Sequence, residues 1–592
     1  MTREDAATIL ERIALLLELK GENSFKVRAY RTGAEIVESY SGDIMKLAAE
    51  NLLAGIKGLG EALRDKLHEM ATTGKLEFYE KLKAEFPDTL FELFAVQGLG
   101  PKKVAALHAE LGVSSLADLK RACESGEAAK LAGFGGKIVE KILESIAFRE
   151  MHAAEFRLDQ VYPLVQQILE TLRQHPNVSH AEVCGSFRRG KETVHDLDFL
   201  VSTRQPELVI EDFVKLPLVV DVIAKGPTKA SVHVTLGVQC DLRAVSSKEF
   251  PFALAYFTGS KEHNVAIRQR ALARGWSLNE YAFTPVPERA DAPVIPPIHD
   301  EAELYRALDL DFIDPELREN KGEIDAAEHG GLPRLIQLEN LRGVFHNHTT
   351  ASDGGATLRE MADAAHDLGL QYLGIADHSK SSFQANGLDE KRLLTQIQQI
   401  KELNEEMAAE GFRIFAGSEV DILKDGSLDF SDEIMSQLDY VVASVHNVFN
   451  LPEAEMTKRI IRAIENPHVT MLGHLTGRLL LQRPAYNVNI AAVIDAAAET
   501  GTIIEINASP WRLDMDWRWW KLAKEKGVKC SINPDAHSTH GLQAVIYGIK
   551  AARKGWLTRN DVINCLPLGE VEAALRMKRE MIPLQPESLR RI

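Results

Sequence analysis

The feature that most constrains the fold of this 592-residue chain is a regular alternation in its second half. From Gly343 to about Glu570, short runs rich in β-branched residues, such as YLGIADH and YVVASVH, are each followed by a longer helical segment. Strands that alternate with helices build parallel sheets, because each parallel connection has to cross over the sheet. The pattern predicts a distorted parallel β/α barrel.

Histidines and acidic residues gather at the ends of these predicted strands. His346 and His348 flank Asn347, so their side chains project from one face of the first strand. Parallel barrels place functional side chains at the carboxyl ends of their strands. The nine candidate metal ligands are His346, His348, Asp353, His378, Glu419, His446, His474, Asp535 and His537. At about three ligands per ion, they suit up to about three divalent ions, Zn²⁺ or Mn²⁺, for phosphoester hydrolysis.

The rest of the composition excludes several classes of protein. The five cysteines form no CxxC pair, which argues against a disulfide framework and a thiolate zinc site. The N-terminus reads as an amphipathic helix, and the chain has no long apolar run, so a cytoplasmic protein without a membrane partner is expected. The net charge of -17 is concentrated, because residues 301–330 hold ten Asp and Glu against three Lys and Arg. Local basic surfaces for nucleic acid therefore remain possible.

Residues 1 to about 150 read as consecutive helices with short glycine-containing breaks. Three breaks, IKGLG, VQGLG and LAGFGGK, each precede a helix that contains Lys or Arg. Such a break points backbone N–H groups and the positive end of a helix at a phosphate. Repetition of the motif predicts helix-hairpin-helix binding of DNA backbone, with the candidate glycines Gly58, Gly60, Gly98, Gly100, Gly133 and Gly135.

A second acidic cluster lies between these two regions. Helices and short β-branched runs follow Leu158 and predict a mixed sheet. Asp196 and Asp198 are two residues apart on a predicted strand, so both carboxylates leave the same face, and Asp241 lies on a later strand. Three carboxylates suit Mg²⁺ or Mn²⁺ that holds substrate phosphates. The upstream GSFRRG offers a helix start at Gly185 and Ser186, and positive charge at Arg188 and Arg189, for a triphosphate.

The string GSFRRG with its DxD strand, joined by YFTGSKEHN, resembles family X DNA polymerases of the nucleotidyltransferase superfamily. The resemblance implies that the three aspartates hold the catalytic metals and that Ser186 and Arg189 touch the triphosphate. It implies that the nucleotide sugar is lined by Tyr256, Phe257, Gly259 and Asn264. It also gives Lys66 the position of a lyase lysine. His195 and Pro251 depart from the family pattern without removing a catalytic group, so the resemblance does not extend to fidelity and nucleotide affinity.

The histidine-rich set resembles the PHP (polymerase and histidinol phosphatase) domain. By that resemblance one ion takes His346, His348, Glu419 and Asp535, a second takes Glu419, His446 and His474, and a third takes Asp353, His378 and His537. Arg478 and Arg512 are expected phosphate contacts, whereas His366 and His468 are expected to be structural.

Both clusters in this order resemble bacterial family X DNA polymerases with a C-terminal PHP domain. The implied partners are gapped or nicked duplex DNA and dNTPs, and the implied activities are gap filling and Mn²⁺-dependent 3′–5′ exonuclease action, with abasic-site endonuclease or 3′-phosphatase activity as variants. A monomer in the cytoplasm, associated with the nucleoid, is expected. The expected units are a DNA-binding and lyase-like domain (1–85), fingers (86–150), palm (151–245), thumb (246–312), acidic linker (313–340), PHP domain (341–575) and tail (576–592).

Three alternatives remain open from the residues. A small-molecule phosphatase would explain the barrel but not the hairpins. A non-catalytic scaffold would explain the fusion but predicts gaps in the ligand set. A terminal or RNA nucleotidyltransferase shares the DxD and GSFRRG motifs, although the hairpins favour broken duplex DNA.

Overall fold

Helices occupy the first quarter of the chain, as their apolar spacing predicts. The computed structural model describes residues 3–40, 44–56, 58–96, 99–151, 154–287, 289 and 293–581. The first eight helices are α1 (Arg3–Leu19), α2 (Ser24–Ser39), α3 (Ile44–Ala49), α4 (Glu61–Thr73), α5 (Glu77–Lys83), α6 (Pro101–Leu111), α7 (Leu116–Glu124) and α8 (Gly136–Met151). Asn23 caps α2 by accepting the N–H of Phe25, and Gly74 ends α4 in the left-handed region with φ +71°. Their apolar faces form two adjacent cores, one of them around Leu67 and the other around Leu107.

A five-stranded mixed sheet follows. The elements of this region are β1 (Phe156–Arg157), α9 (Leu158–Gln174), β2 (Val178–Val183), α10 (Gly185–Arg188), β3 (Thr193–Val194), β4 (Asp196–Thr203), α11 (Pro206–Phe213), β5 (Val219–Lys225), β6 (Lys229–Val234) and β7 (Gln239–Val245). The sheet has the order β2-β4-β7-β6-β5, with β4 and β7 parallel and the other pairs antiparallel. The short strands β1 and β3 pair separately. The parallel centre of this sheet brings the ends of β4 and β7 together.

The next segment packs against the sheet and against the barrel. It contains α12 (Phe250–Thr258), α13 (Lys261–Ala273), β8 (Trp276–Leu278), β9 (Phe283–Pro285), α14 (Glu301–Ala307) and α15 (Glu323–Glu328). The expectation of an acidic linker over 313–340 is wrong in one respect, because this stretch is folded. Ile313, Leu317 and Leu335 are buried in a core with α12 and α13. Its acidic residues Glu316 and Glu319 pair with Arg553 and Lys554 of the barrel, which removes the reason to expect a solvated tether.

The second half forms the predicted parallel barrel. Its elements are β10 (Gly343–Asn347), α16 (Leu358–Asp367), β11 (Tyr372–Ile375), α17 (Glu390–Met407), β12 (Arg413–Asp421), α18 (Asp432–Met435), β13 (Tyr440–Ser444), α19 (Glu453–Ile464), β14 (Met471–Leu472), α20 (Ile490–Thr500), β15 (Ile503–Asn507), α21 (Trp520–Glu525), β16 (Cys530–Asn533), α22 (Val545–Lys554) and α23 (Leu568–Met581). The strands run in the order β10 to β16 with every pair parallel. Asn347 and Ala536 bridge its first and last strands, so the sheet is almost closed.

Short 3-10 turns connect many of these elements. They span Leu53–Gly55, Asp88–Ala95, Ala128–Lys130, Thr235–Gly237, Pro315–Leu317, Leu338–Asn340, Phe383–Ala385, Ala408–Glu410, Trp517–Trp519, His540–Ala544, Arg559–Asp561 and Ile563–Cys565. Among the helices that the structure describes, none is long and apolar enough to cross a membrane.

Candidate active sites in the palm and the barrel

The three palm carboxylates lie on neighbouring parallel strands. Asp198 on β4 is in register with Asp241 on β7, and Asp196 lies two residues before Asp198 on the same face. Burial, together with the negative charges of Asp196 and Asp241, raises the pKa of Asp198 to about 6. A bound cation would stabilise three like charges at one edge of the sheet.

The negative charge of Asp241 is partly neutralised by Lys229, on the neighbouring strand β6. Burial favours a raised pKa, but hydrogen bonds from Lys229 and Gln239 outweigh it and lower the pKa of Asp241. The Nζ of Lys229 lies 2.6 Å from Oδ2 of Asp241. In the described part of the chain, the groups of three or more ligand atoms that lie within 4.8 Å of one another are all in the barrel, so the palm carboxylates are more widely spaced.

Position 185 requires glycine because its backbone lies close to the side chain of Asp198. Its φ is +61°, and a Cβ there would lie 2.5 Å from Oδ2 of Asp198. Gly185 begins the short helix α10, and Ser186 follows it, as the motif predicted. The turn therefore lies against one of the candidate metal ligands.

The two arginines of the motif are held by acidic side chains. Arg188 makes a bidentate pair with buried Glu301, at 3.0 and 2.6 Å. The Nε of Arg189 lies 3.1 Å from Oε1 of Glu319, and its guanidinium also donates to the carbonyl of Thr258. In this structure both arginines bind the segment 301–319, and a triphosphate would have to compete with these carboxylates.

The predicted nucleotide-binding segment forms the end of α12 and the start of α13. Tyr256 and Phe257 pack edge to face at 5.0 Å between ring centroids. The amide of Asn264 donates to the carbonyl of Tyr256 at 2.8 Å. Gly259 has φ +66°, and a Cβ there would lie 3.2 Å from Nη1 of Arg189, so this segment meets the GSFRRG turn.

The fold tolerates Pro251 and His195, the two departures from the family pattern. Pro251 lies in the first turn of α12, where its missing N–H leaves no helical hydrogen bond unmade. His195 is exposed, and its Nε2 lies 3.8 Å from Glu155.

The hairpin glycines lie where the sequence predicts, immediately before helices. Gly60 precedes α4 and Gly100 precedes α6, whereas Gly58 and Gly133 have positive φ. A Cβ at Gly60, Gly100, Gly133 or Gly135 would meet no described atom within 4 Å, so the backbone there is open to a ligand. Gly98 lies outside the described residues.

All nine candidate ligands of the barrel converge at the carboxyl ends of its strands. Their ligand atoms form four overlapping groups: His348, Asp353, His378 and His537; His346, Glu419 and His474; His346, His348 and Asp535; and His378, Glu419 and His446. Glu419 is central, because its carboxylate lies 3.2 Å from His346, 2.9 Å from His474 and 3.1 Å from His446. A carboxylate shared in this way can bridge ions.

The electrostatics of this cluster fit divalent cations. Burial favours a raised pKa for Glu419, but the imidazoles of His446, His346 and His378 outweigh it and hold the pKa well below its usual value. Burial, together with His537 and His378, lowers the pKa of His348 to about 4, so its imidazole is neutral and able to ligate. Among the described side chains, Nδ1 of His348 and Nδ1 of His378 are buried without a hydrogen-bond partner. Buried imidazole nitrogens without partners are suited to metal ligation.

Sequence reasoning missed the acids that orient these histidines. Glu505 lies 2.5 Å from Nδ1 of His346, and Asp421 lies 2.7 Å from Nδ1 of His446. Asp377 accepts hydrogen bonds from Thr349 and Ser352 at the start of the loop that carries Asp353. The available signal was an acidic residue inside an otherwise apolar strand, as in IIEIN.

The two predicted phosphate-contacting arginines differ. The Nε of Arg512 lies 3.6 Å from Asp535, at the edge of the cluster. Arg478 instead pairs with Asp516 at 2.8 Å and with Glu192 of the palm at 3.1 Å. The expectation for Arg478 is therefore wrong in this structure, because its guanidinium joins the barrel to the palm. His366 stacks edge to face on Phe412, and His468 is buried, in agreement with structural roles.

Lys66 lies on the exposed side of α4. Its Nζ lies 3.3 Å from the carbonyl of Ala62 and 5.0 Å from the ring centroid of Phe78.

Comparisons with known families cover most of the chain. Residues 1–76 match the helix-hairpin-helix domain, 91–147 the SAM-like helix-hairpin-helix tandem, 253–319 the DNA polymerase beta thumb and 345–509 the PHP domain.

A DNA polymerase and several probable phosphatases are among the whole proteins with related sequences. The DNA polymerase/3′-5′ exonuclease PolX of Bacillus subtilis (strain 168) is 39% identical over 97% of this chain and 100% of its own length. A probable phosphatase of Thermoanaerobacter sp. (strain X514) is 32% identical over 40% of this chain and 95% of its own length. A probable phosphatase of Clostridium acetobutylicum is 29% identical over 33% of this chain and 78% of its own length.

Proposed function

The chain belongs to the PolX family of DNA polymerases that carry a PHP domain, and from this premise we propose a division of labour between its two clusters of ligands. It is a DNA repair polymerase and a metal-dependent 3′–5′ exonuclease or phosphoesterase. The palm fills short gaps in duplex DNA from dNTPs, and the barrel processes the 3′-end. The observation that carries this proposal is the presence, in one chain, of a carboxylate set on β4 and β7 and a separate nine-residue set in the barrel.

In the palm, Asp196, Asp198 and Asp241 would hold two Mg²⁺ or Mn²⁺ ions. Bound there, these ions would supply activation of a primer 3′-hydroxyl and neutralisation of pyrophosphate charge. The turn at Gly185 and Ser186 receives the triphosphate together with Arg189, which exchanges Glu319 for phosphate. Tyr256 and Phe257 line the nucleotide sugar, and Asn264 fixes the carbonyl of Tyr256.

In the barrel, the nine ligands would hold up to about three Zn²⁺ or Mn²⁺ ions. Bound there, these ions would supply activation of water and stabilisation of phosphate charge. We assign one ion to His346, His348, Glu419 and Asp535, a second to Glu419, His446 and His474, and a third to Asp353, His378 and His537. The contacts of Glu419 with His346, His446 and His474 support the first two sets, and the third set lies within one group of neighbouring ligand atoms. Glu505 and Asp421 orient His346 and His446, and Arg512 contacts the substrate phosphate.

The substrate of the whole enzyme is gapped or nicked duplex DNA. The open glycine turns before α4, α6 and α8 grip backbone phosphates without reading sequence. The enzyme acts as a monomer in the cytoplasm, associated with the nucleoid.

The alternatives are less favoured. A non-catalytic scaffold predicts missing ligands, whereas all nine positions converge. A small-molecule phosphatase leaves the hairpins and the palm unexplained, although the barrel also resembles probable phosphatases. A terminal or RNA nucleotidyltransferase is not expected to carry this pair of modules.

The proposal is tested on a 5′-labelled duplex with a one-nucleotide gap, with Mn²⁺, with and without dNTPs. Asp198→Asn is expected to abolish extension and leave shortening intact, and His348→Ala is expected to do the reverse. Asp325→Asn and His329→Ala, at exposed positions, are the matched controls. If the wild type fills the gap but shortens nothing, the barrel is not a 3′-exonuclease on this substrate.

A further inference from the structure

A cavity of about 570 Å³ lies at the mouth of the barrel. Barrel residues on three loops line most of it, and they include Asp353, Gln384, Asn386 and His537. This volume is within the range that encloses one small ligand, such as a single nucleotide, and is too small for a duplex.

The cavity is the route to the ligand cluster. Asp353 and His537 line it, and their side chains are 32% and 42% exposed, whereas those of His346, His348 and Glu419 are 1% exposed or less. A phosphodiester that enters the cavity therefore meets Asp353 and His537 first.

The opposite wall comes from the N-terminal helical region. Thr32 and Ile36 of α2 line the cavity. The same two side chains lie against the first glycine hairpin, because a Cβ on Gly58 would lie 2.5 Å from Cδ1 of Ile36 and 3.9 Å from Cγ2 of Thr32. The DNA-binding half of the chain thus confines the entrance of the barrel.

An exposed aromatic side chain lies beside this cavity. Phe383 is 87% exposed, and the next two residues in its 3-10 turn, Gln384 and Ala385, line the cavity. A ring so exposed contributes little to the core, since burial is what stabilises an apolar side chain.

The turn that carries Phe383 is firmly anchored. Ser382 donates to Asp421 at 2.8 Å, and Asn386 donates to the carbonyl of Ser352 at 3.2 Å. Arg392 donates to the carbonyls of Asn386 and Gly387, both at 3.0 Å. The ring is therefore presented in a preorganised position, which lowers the entropic cost of stacking a ligand on it.

We propose that Phe383 and this cavity form the subsite for the terminal nucleotide of a single-stranded DNA 3′-end, with the nucleobase stacked on the Phe383 ring. The subsite rests on the proposed exonuclease function and specifies its substrate. Stacking on an aromatic ring tolerates every base, which suits an enzyme that removes nucleotides without regard to sequence. The wall formed by α2 narrows the entrance, and the cavity volume suits one nucleotide rather than a duplex.

The test compares the effect of removing the Phe383 ring on substrates with and without a terminal nucleobase. Wild type, Phe383→Ala and Phe383→Trp digest two 5′-labelled single strands with Mn²⁺: one ends in a normal 3′-nucleotide and the other in a 3′-tetrahydrofuran residue that lacks a base. Phe383→Ala is expected to lower kcat/KM about tenfold on the normal end, mainly through KM, and to change it less than twofold on the baseless end. Phe383→Trp is expected to retain wild-type kcat/KM.

Leu368→Ala, at an aliphatic residue of the barrel that is 47% exposed, is the control for nonspecific loss of surface. An equal loss on both ends for Phe383→Ala, or no loss on either end, overturns the subsite. A wild type that shortens neither strand overturns the proposed exonuclease function instead, so the two failures are distinguishable.

Discussion

The Nζ of Lys554, on the last helix before α23, lies 2.6 Å from Oε1 of Glu319, and both side chains are buried between the barrel and the polymerase half. The same carboxylate oxygen lies 3.1 Å from Nε of Arg189, in the GSFRRG turn. Lys554 also donates to the carbonyl of Arg189 at 3.0 Å. One acidic side chain thus connects the candidate triphosphate site to the barrel.

Lys554→Met is expected to weaken the contact between the two halves. The variant leaves Glu319 with Arg189 but removes one buried partner, so we expect a loss of about 1–3 kcal/mol in the free energy of unfolding. Scanning calorimetry is expected to show a separate, earlier transition for one half. Lys458→Met, at an exposed position on α19, is the control, and an unchanged thermogram for Lys554→Met contradicts the role.

The same lysine predicts a pH dependence of stability. Burial lowers the pKa of Lys554 to about 8 from its ordinary value of 10.5, and Arg189 and Lys191 oppose the effect of Glu319. Because the folded-state pKa is the lower one, the unfolded chain binds more protons between pH 8 and 10.5. Wild-type stability relative to Lys554→Met is therefore expected to rise across this window, by at most about 3 kcal/mol. Denaturant titrations at several pH values measure the difference, and a flat or falling difference refutes the assignment.

Local periodicity was sufficient to predict the barrel. The strands β10 to β16 follow the apolar runs of the sequence, because residues that face a closed core must be apolar at every strand. The ligands could be predicted for a related reason: polar residues at the ends of apolar strands have few structural uses. The orienting acid Glu505 was not predicted, because its partner His346 is distant in sequence and close only in the fold.

Gly185→Ala is expected to impair extension without affecting hydrolysis. A methyl group there would approach Oδ2 of Asp198 to 2.5 Å in a backbone conformation with φ +61°. Relief of this contact would displace the Asp198 carboxylate, and a displacement of about 1 Å is expected to lower the extension rate about 100-fold. Gly237→Ala is the control, because Gly237 also has a positive φ, +80°, but a Cβ there would meet no described atom within 4 Å. Its effect therefore measures backbone strain alone, without the contact with Asp198. Gap filling and 3′-shortening assays on both variants measure the effect, and equal losses in the two variants argue against it.

Glu505→Gln is expected to weaken metal binding in the barrel. The carboxylate accepts the Nδ1 proton of His346 and thereby fixes Nε2 toward Glu419. Loss of such a partner lowers metal affinity about 10- to 100-fold. Calorimetric titration of the chelator-treated protein with Mn²⁺ measures the affinity, with the exposed Glu499→Gln on α20 as the matched control. Equal Mn²⁺ affinity in the two variants is the contrary result.

The interactions between modules could not be predicted from the sequence. The acidic stretch 301–328 has the composition of a solvated tether, yet Glu301 lies between Arg188 and Arg318, and His263 lies 2.7 Å from Glu323. Burial of a charge depends on a partner supplied by a distant part of the chain. For the same reason Arg478, expected at a phosphate, pairs with Glu192 instead.

Lys66 provides the last test, of lyase chemistry in the N-terminal region. Its amine is on the open side of α4, within 5.0 Å of the Phe78 ring centroid, and follows the first glycine hairpin. A lysine amine that attacks the C1′ aldehyde of an abasic sugar expels water and forms an imine, which borohydride reduces to a stable amine. We expect wild type to form this covalent adduct with abasic DNA and Lys66→Ala to lose it, as seen by gel shift after denaturation. Lys75→Ala, an exposed lysine just beyond α4, is expected to retain the adduct. An adduct that persists in Lys66→Ala assigns the chemistry to another amine, and no adduct in wild type excludes lyase action on this substrate.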